Sequence, residues 1–213
     1  DPGADVRAED VELAADARAT FTLHSAGERE PVTLTVPGEH MLSNALAAAA
    51  VGRWAGLTLA ECAAALKGAG VARWRMETFT GVSGIVVVND AYNANPESMA
   101  AALKAARWIA EGTRLAAVLG HMAELGPIAF EEHERLGELV VRIGVERLVT
   151  VGDEARAIAR AAIREGQLPE DVATYDDPMG AADDVRAWAN PGDVVLVKGS
   201  RVAGLERAAD ALR

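Results

Sequence analysis

Cysteine, lysine, aromatic residues and long apolar runs are all scarce in this sequence of 213 residues. The single cysteine, Cys62, lies in an apolar helical stretch, so we expect a buried, inert thiol and neither an internal disulfide nor a cysteine metal cluster. No apolar run approaches the roughly 18 to 20 residues that cross a bilayer. The N-terminus has neither a basic start nor an apolar signal core. These absences predict a cytoplasmic protein without a membrane partner.

Basic residues are also fewer than acidic residues, 21 against 32. The formal net charge is −11 at pH 7, and lysine occurs only at Lys67, Lys104 and Lys198. Since a nucleic acid backbone is bound mainly by basic side chains, we expect no DNA or RNA partner. Hydrophobic residues make up 50% of the sequence and aromatic residues only 4%. This composition favours helices packed on short apolar strands over an all-β sandwich.

The N-terminal third of the chain has the pattern of a small sheet followed by two helices. Residues 6–36 alternate apolar and polar side chains, which predicts antiparallel strands. Residues 41–54 are alanine-rich and predict a helix, and Thr58 with Glu61 has the capping-box spacing that begins a second helix. We expect this part to be too small to bury a core of its own, and therefore to be the end of a domain that begins upstream.

From residue 76 onward, short apolar strands alternate with amphipathic helices. The predicted strands are 85–88, 115–119, 148–151, 172–175 and 194–197, and the predicted helices are 96–110, 129–142, 154–165, 179–189 and 202–212. Strands that are apolar throughout are covered on both faces, so this α/β pattern predicts a parallel doubly wound sheet. We place the change of domain within residues 71–76, with a first domain at 1–74 and a second at 75–213.

Polar residues follow the predicted strands, at the edge where ligands bind in such sheets. Helix capping by Asn95, with Pro96 at the first helical position, explains part of the first polar segment. It does not explain Asp90, Tyr92 and Asn93. A carboxylate there can accept the hydroxyls of a ribose, and a tyrosine beside an amide can lie against a base.

A second polar segment, Lys198-Gly199-Ser200-Arg201, follows the last predicted strand and opens the last helix. Glycine lets the backbone turn, while the lysine, hydroxyl and guanidinium converge in a way that suits an anion. The alternative is a structural loop with solvated charges.

The Gly-x-x-x-x-Gly-Lys pattern of a phosphate-binding loop is absent, because the residues before the three lysines are Leu66, Leu103 and Val197. Without that loop, the β- and γ-phosphates of ATP and their magnesium have no cradle within this sequence. We therefore expect no nucleotide bound tightly to this chain alone.

Several segments together resemble the Mur ligase family. They occur in family order at residues 37–48, 73–77, 88–99, 118–126 and 197–201. The run Tyr92-Asn93-Ala94-Asn95-Pro96 favours the branch that adds D-alanyl-D-alanine to a UDP-N-acetylmuramoyl-tripeptide. The resemblance implies an ATP- and Mg²⁺-dependent ligase of peptidoglycan precursor synthesis with three domains. It assigns this chain the end of the central ATPase domain and the whole Rossmann-like C-terminal domain, so we expect no ligase activity from this chain alone.

The resemblance also implies site residues, although it assigns no catalytic residue and no metal ligand within this chain. It implies nucleotide binding by His40, Asn44, Arg75, Asp90, Tyr92 and Asn93. It implies binding of the peptide substrates, with a carboxylate among the bound groups, by Lys198, Gly199, Ser200 and Arg201. The alternatives are helix capping for His40 and Asn44, a surface charge for Arg75 and a structural cap for Asp90.

Other polar residues carry weaker signals. The family usually has an acidic residue where this sequence has His121, which leaves the role of that histidine open. Glu124 and His133 fit the family pattern but equally suit helix-end and surface groups. We interpret the run 131–134 as a solvated helix face, because only residues three or four apart share a face. We expect the four tryptophans to serve core and interface packing rather than base stacking: Trp54, Trp74, Trp108 and Trp188.

Two competing functions stay open. Another Mur ligase or a folylpolyglutamate-type ligase would share the fold and the chemistry. A noncatalytic nucleotide-binding module with a Rossmann-like sheet would differ in class, although the absence of Gly-x-Gly-x-x-Gly counts against an independent dinucleotide binder.

Overall fold

The structure is a computed structural model that describes residues 3–70 and 72–213. The chain divides into two compact units, residues 1–71 and 72–213. No helix in the described parts of the chain is long and apolar enough to cross a membrane.

The first unit is a three-stranded antiparallel sheet with two helices. Its strands are β1 (Val6–Leu13), β2 (Arg18–Ser25) and β3 (Glu28–Pro37), in the order β1-β2-β3, and its helices are α1 (His40–Trp54) and α2 (Leu59–Gly68). Helix α2 begins with the predicted capping box: Glu61 N donates to Thr58 Oγ1 at 3.2 Å, and Thr58 N donates to Glu61 Oε2 at 2.8 Å. The backbone hydrogen bond from Thr58 lowers the pKa of Glu61.

The first unit has a core of its own, so the expectation that it is too small to bury one is wrong. Alternate residues of β2 and β3, among them Phe21, Leu23 and Val32, are buried together with Leu59 and Cys62 of α2. The sheet gives one apolar face, and the alanine-rich helices cover it closely because their side chains are small. Cys62 is buried, as predicted.

The second unit is a six-stranded sheet in the order β4-β5-β9-β6-β7-β8. Its strands are β4 (Glu77–Thr80), β5 (Val86–Asp90), β6 (Leu115–Gly120), β7 (Arg147–Val151), β8 (Val172–Tyr175) and β9 (Val194–Lys198). Its helices are α3 (Pro96–Ile109), α4 (Ala129–Ile143), α5 (Arg156–Glu165), α6 (Pro178–Trp188) and α7 (Glu206–Ala211). All strand pairs are parallel except β4 with β5, which confirms the predicted parallel α/β layer and adds an antiparallel edge strand.

Helices cover both faces of this sheet. On one face, Val87, Val118 and Val195 pack in one cluster with Val185 of α6 and Ala208 of α7. The remaining strand positions are buried too, and α3 and α5 contact the sheet. Burial on both faces explains why the strands of this sheet are apolar at nearly every position.

A partly buried ion pair fixes the amino ends of two neighbouring strands. Arg114, just before β6, donates from Nε to Asp193 Oδ2 at 3.1 Å, and Asn190 N donates to the same oxygen at 2.7 Å. Burial by itself would raise the pKa of Asp193, but these hydrogen bonds outweigh it and the pKa lies below its usual value. The Arg114 guanidinium also stacks on the Trp188 ring, 4.0 Å from its centroid.

One packing prediction stays open and one surface prediction is wrong. Trp54 is 89% exposed on α1, so it is not a core residue of its unit, and interface packing by Trp54 stays a prediction. His133 is only 3% exposed and is therefore not part of a solvated helix face. Its Nε2 accepts a hydrogen bond from Met122 N at 2.9 Å, which leaves Nδ1 as the donor to Ala129 O at 2.5 Å. His133 thus joins the start of α4 to the loop after β6.

Candidate functional site

The carboxyl ends of β5, β9, β6 and β7 form one edge of the sheet. We call the residues that follow these strands the strand-end rim: 90–94, 120–126, 152–154 and 198–201. Asp90 lies opposite Lys198 in the parallel register of β5 and β9, and Lys198 lies opposite Leu119 of β6. The strand order therefore brings together residues that are far apart in the sequence.

Lys198 and Asp90 form a buried ion pair at the centre of the rim. Lys198 is 1% exposed, and its Nζ lies 2.5 Å from Asp90 Oδ2 and 2.9 Å from Asn93 O. The other oxygen of Asp90 accepts a hydrogen bond from Met76 N at 3.0 Å. A buried ammonium needs such compensation, because removing it from water is costly. These contacts hold the Asp90 carboxylate in one orientation.

Ser200 joins three loops of the rim. Its Oγ accepts a hydrogen bond from Ala123 N at 2.8 Å and lies 3.5 Å from Ala94 O, and its backbone N donates to His121 O at 3.0 Å. Ser200 is 3% exposed, so its hydroxyl serves these internal contacts.

Two glycines of the rim, Gly120 and Gly199, lie where the backbones of two loops approach each other closely. A Cβ built on Gly199 would lie 3.0 Å from the Cα of Gly120 and 3.0 Å from Leu205 Cδ1. A side chain at either glycine would push apart the loops after β6 and β9, which Ser200 joins.

Aromatic and arginine side chains stack beside the rim. The Arg75 guanidinium lies 4.1 Å from the centroid of the Tyr92 ring, and the Arg201 guanidinium lies 4.3 Å from the Trp74 ring. The segment that carries Trp74 and Arg75 is also held by a hydrogen bond from Tyr92 N to Trp74 O at 3.1 Å. Trp74 and Met76 have φ of 63° and 51°, a left-handed conformation that non-glycine residues adopt at a cost.

Arg201 is exposed, whereas Lys198, Gly199 and Ser200 are buried. Its Nη1 lies 2.6 Å from Glu206 Oε1, in addition to the stacking on Trp74. Of the side chains in the segment 198–201, only that of Arg201 therefore presents a charged group to solvent.

His40 and Asn44 lie in the first unit, in the first turns of α1. The N-cap position of α1 is occupied by Glu39, whose side chain makes no capping hydrogen bond. Asn44 is exposed, and its Nδ2 lies 3.5 Å from Met41 Sδ. His40 is half-buried and its ring packs against Gly38.

A cavity of about 520 Å³ opens at the rim, beyond the ends of β6 and β7. His121 and Glu154 lie at this cavity, with His121 Nε2 3.3 Å from Glu154 Oε2. The lining residues are His121, Met122, Ala123, Glu124, Leu125, Gly126, Ala129, Phe130, His133, Asp153, Glu154, Ala157 and Arg160. The sequence pattern did not single out Arg160 or the stacking role of Trp74, because neither stands in a polar cluster at a strand end. Within the described residues, no group of three or more histidine, cysteine or acidic side chains could hold a metal ion.

Comparison with known proteins identifies the family of this chain. The model of the Mur ligase, glutamate ligase domain, matches residues 74–201. The UDP-N-acetylmuramoyl-tripeptide–D-alanyl-D-alanine ligase of Mycobacterium tuberculosis is 46% identical to 98% of this chain, which matches 44% of that protein. The ligase of the same name from Mycobacterium leprae is 44% identical over 92% of this chain and 41% of that protein.

Solved structures agree. MurF from Acinetobacter baumannii has a TM-score of 0.83 and 27% identity, covering 100% of this chain and 46% of that one. MurF ligase from Thermotoga maritima in complex with ADP has a TM-score of 0.81 and 25% identity, covering 99% of this chain and 46% of that one. The chain thus spans less than half the length of these relatives. It belongs to the Mur ligase family.

Proposed function

We propose that this chain is part of an ATP-dependent ligase that joins D-alanyl-D-alanine to a UDP-N-acetylmuramoyl-tripeptide. The observation that carries the proposal is the 46% identity, over 98% of the chain, to a ligase of that name. The sequence has no phosphate-binding loop, so we propose further that the chain alone does not catalyse amide formation.

The rim suits the nucleoside part of ATP. Each oxygen of Asp90 accepts one hydrogen bond, from Met76 N or from Lys198, so the carboxylate keeps the capacity to accept ribose hydroxyls. Tyr92 is 43% exposed and offers ring surface to a base. Within the described residues, Arg75 has no carboxylate within ion-pair distance, which leaves its charge available for phosphates.

The remaining proposed nucleotide contacts come from the exposed amide of Asn93 and, in the first unit, from His40 and Asn44. ATP would supply the phosphoryl group that activates the substrate carboxylate, and Mg²⁺ would accompany its phosphates. The residues of this chain would bind and orient the nucleotide and exclude water.

In the segment 198–201 the proposed roles divide. Lys198 holds Asp90, Ser200 holds three loops, and Gly199 permits the close approach between them. Arg201 keeps a partly exposed guanidinium that could meet an anionic group of the peptide substrate.

The proposal is tested in a chimera in which this chain replaces the matching segment of the Mycobacterium tuberculosis relative. We expect the chimera to form an amide from UDP-N-acetylmuramoyl-tripeptide, ATP and D-alanyl-D-alanine, and the chain alone to release no phosphate above background. The acceptors L-alanine and L-glutamate should give no product, whereas use of L-glutamate would favour a folylpolyglutamate-type ligase. A folded chimera that binds ATP but uses none of the three acceptors would contradict the proposal. Tight binding of ATP to the chain alone would favour a noncatalytic module.

A further inference from the structure

His133 of α4 is a buried polar residue that the proposed nucleotide contacts do not use. It is 3% exposed, and backbone groups occupy both nitrogens of its ring: Nε2 lies 2.9 Å from Met122 N, and Nδ1 lies 2.5 Å from Ala129 O. Met122 belongs to the loop after β6, residues 121–126, which we call the rim loop. An imidazole with both nitrogens engaged inside the protein is not free to act as a general acid or base. The role of His133 therefore lies in the groups that it holds.

The two contacts define the protonation state of this histidine. A carbonyl oxygen only accepts a hydrogen bond, so the contact with Ala129 O requires a proton on Nδ1. A backbone N–H only donates, so the contact with Met122 N requires a lone pair on Nε2. The neutral imidazole protonated at Nδ1 satisfies both contacts. The first turn of α4 thus fixes the tautomer, and this tautomer makes Nε2 an acceptor for the rim loop.

The rim loop is held by two buried side chains from different elements. Ser200, after β9, accepts from Ala123 N at 2.8 Å, and its own N donates to His121 O at 3.0 Å. His133, on α4, accepts from the amide that precedes Ala123, which is Met122 N. Ser200 and His133 are each 3% exposed. Two consecutive amides of the loop are therefore bound by buried acceptors that the fold brings in from two elements.

The conformation of the rim loop requires such contacts. Glu124, the residue after the two bound amides, has a φ of 64° in the left-handed region, which costs a non-glycine residue free energy. A strained residue of this kind persists where the surrounding structure determines its backbone. Met122 is only 2% exposed, so without His133 its N–H would also be a buried donor that lacks a partner.

We propose that His133 is a positioning residue for the ligase reaction and that it acts through the rim loop. As a neutral imidazole protonated at Nδ1, it holds Met122 N and with it the strained backbone that follows. The consequence for catalysis rests on the proposed ligase function: amide formation requires the rim loop in this conformation. Asp90 is held separately, by Lys198 and by Met76 N, so loss of the His133 contact leaves the proposed nucleotide contacts in place.

Two amide side chains separate the roles of the two ring nitrogens. In His133→Gln the side-chain amide reaches the position of Nε2, so its oxygen accepts from Met122 N. In His133→Asn the shorter side chain reaches only the position of Nδ1, so Met122 N loses its partner. Native-state hydrogen exchange of the whole 213-residue chain measures the difference. Protection of Met122 and Ala123 should fall about tenfold to a hundredfold in His133→Asn and less than about threefold in His133→Gln.

The matched control is Arg135→Gln, two residues further along α4. Arg135 is exposed and pairs with Glu131 of the same helix, so this variant should leave the protection of the rim loop unchanged. Equal protection of Met122 in the asparagine and glutamine variants of His133 overturns the proposal. The same holds if Arg135→Gln lowers that protection as much as His133→Asn does.

The unmodified chain gives a measurement that does not depend on the folding of any variant. The nitrogen chemical shifts of the His133 imidazole should show a proton on Nδ1 and a lone pair on Nε2. A proton on Nε2 overturns the proposal, because that nitrogen could then not accept from Met122 N.

The chimera tests the consequence for the reaction. His133→Asn should lower kcat about tenfold to a hundredfold and leave the KM for ATP unchanged, while His133→Gln should recover most of kcat. A merely structural role would reduce the amount of folded enzyme and leave the kcat of the folded fraction unchanged. An active chimera with unchanged kcat in His133→Asn therefore removes the positioning role alone. A chimera that forms no amide, although His133→Gln keeps the protection of Met122 in the free chain, removes the ligase function alone.

Discussion

At the scale of single residues, the central feature is a lysine used inside the protein. The three lysines are few enough that each is informative, and Lys198 is the buried one, paired with Asp90 at 2.5 Å. The sequence predicted that both residues lie at the carboxyl ends of strands, but it did not predict the pair. The two residues are 108 positions apart, and neither strand's sequence indicates that β5 and β9 are neighbours in the sheet. The pairing changes the proposed role of Lys198 from contact with a substrate to orientation of Asp90.

We predict that Lys198→Met destabilises the second unit by about 3 to 5 kcal/mol, because the Asp90 charge would remain buried without its partner. Adding Asp90→Asn to this variant should recover part of the loss, since it removes the uncompensated charge. Lys104→Met, at an exposed position of α3, is the control and should change stability by less than about 0.5 kcal/mol. Urea unfolding of the chain measures all three, and a loss below about 1 kcal/mol for Lys198→Met would show that the pair contributes little.

At the scale of elements, the sequence predicted the parallel strands but neither the edge strand β4 nor the start of helix α7. Strands buried on both faces are apolar throughout, so their positions stand out in the sequence. The edge strand β4 has only four residues, with half-buried and exposed positions in alternation, and it was missed. Helix α7 begins later than predicted because residues 201–203 form a separate turn and Gly204 has a φ of 63°.

The packing of α4 on α5 gives an element-scale prediction. A Cβ at Gly137 of α4 would lie 2.3 Å from Ile158 O and 2.7 Å from the Cβ of Ala161, so the helices approach along this glycine. Gly137→Ala should destabilise the chain by about 1 to 3 kcal/mol, although alanine favours helix by about 1 kcal/mol. Gly68→Ala, at the end of α2, meets no atom within 4 Å and should be neutral or stabilising. Equal thermal stability of the two variants would contradict the close packing.

At the scale of the whole molecule, the two units have separate cores. The sequence pattern predicted the change from antiparallel strands to an α/β arrangement. It did not predict that the first unit has a hydrophobic core of its own, because that core depends on how closely the alanine-rich helices pack on the sheet. The nucleotide contacts proposed at His40 and Asn44 belong to the first unit, and those at Asp90 and Tyr92 to the second. Each set should therefore survive damage to the other core.

We therefore predict that core substitutions act within one unit. Phe21 is 2% exposed in the first unit, and Phe21→Ala should lower the free energies of amide opening there by about 3 to 5 kcal/mol. Protection in residues 72–213 should not change. Leu119 is 0% exposed in the second unit, and Leu119→Ala should have the reciprocal effect, with a loss of about 2 to 5 kcal/mol. Native-state hydrogen exchange measures both variants at single residues. If either substitution lowers protection equally in both units, the two cores unfold as one cooperative structure, and the nucleotide contacts would then be lost together.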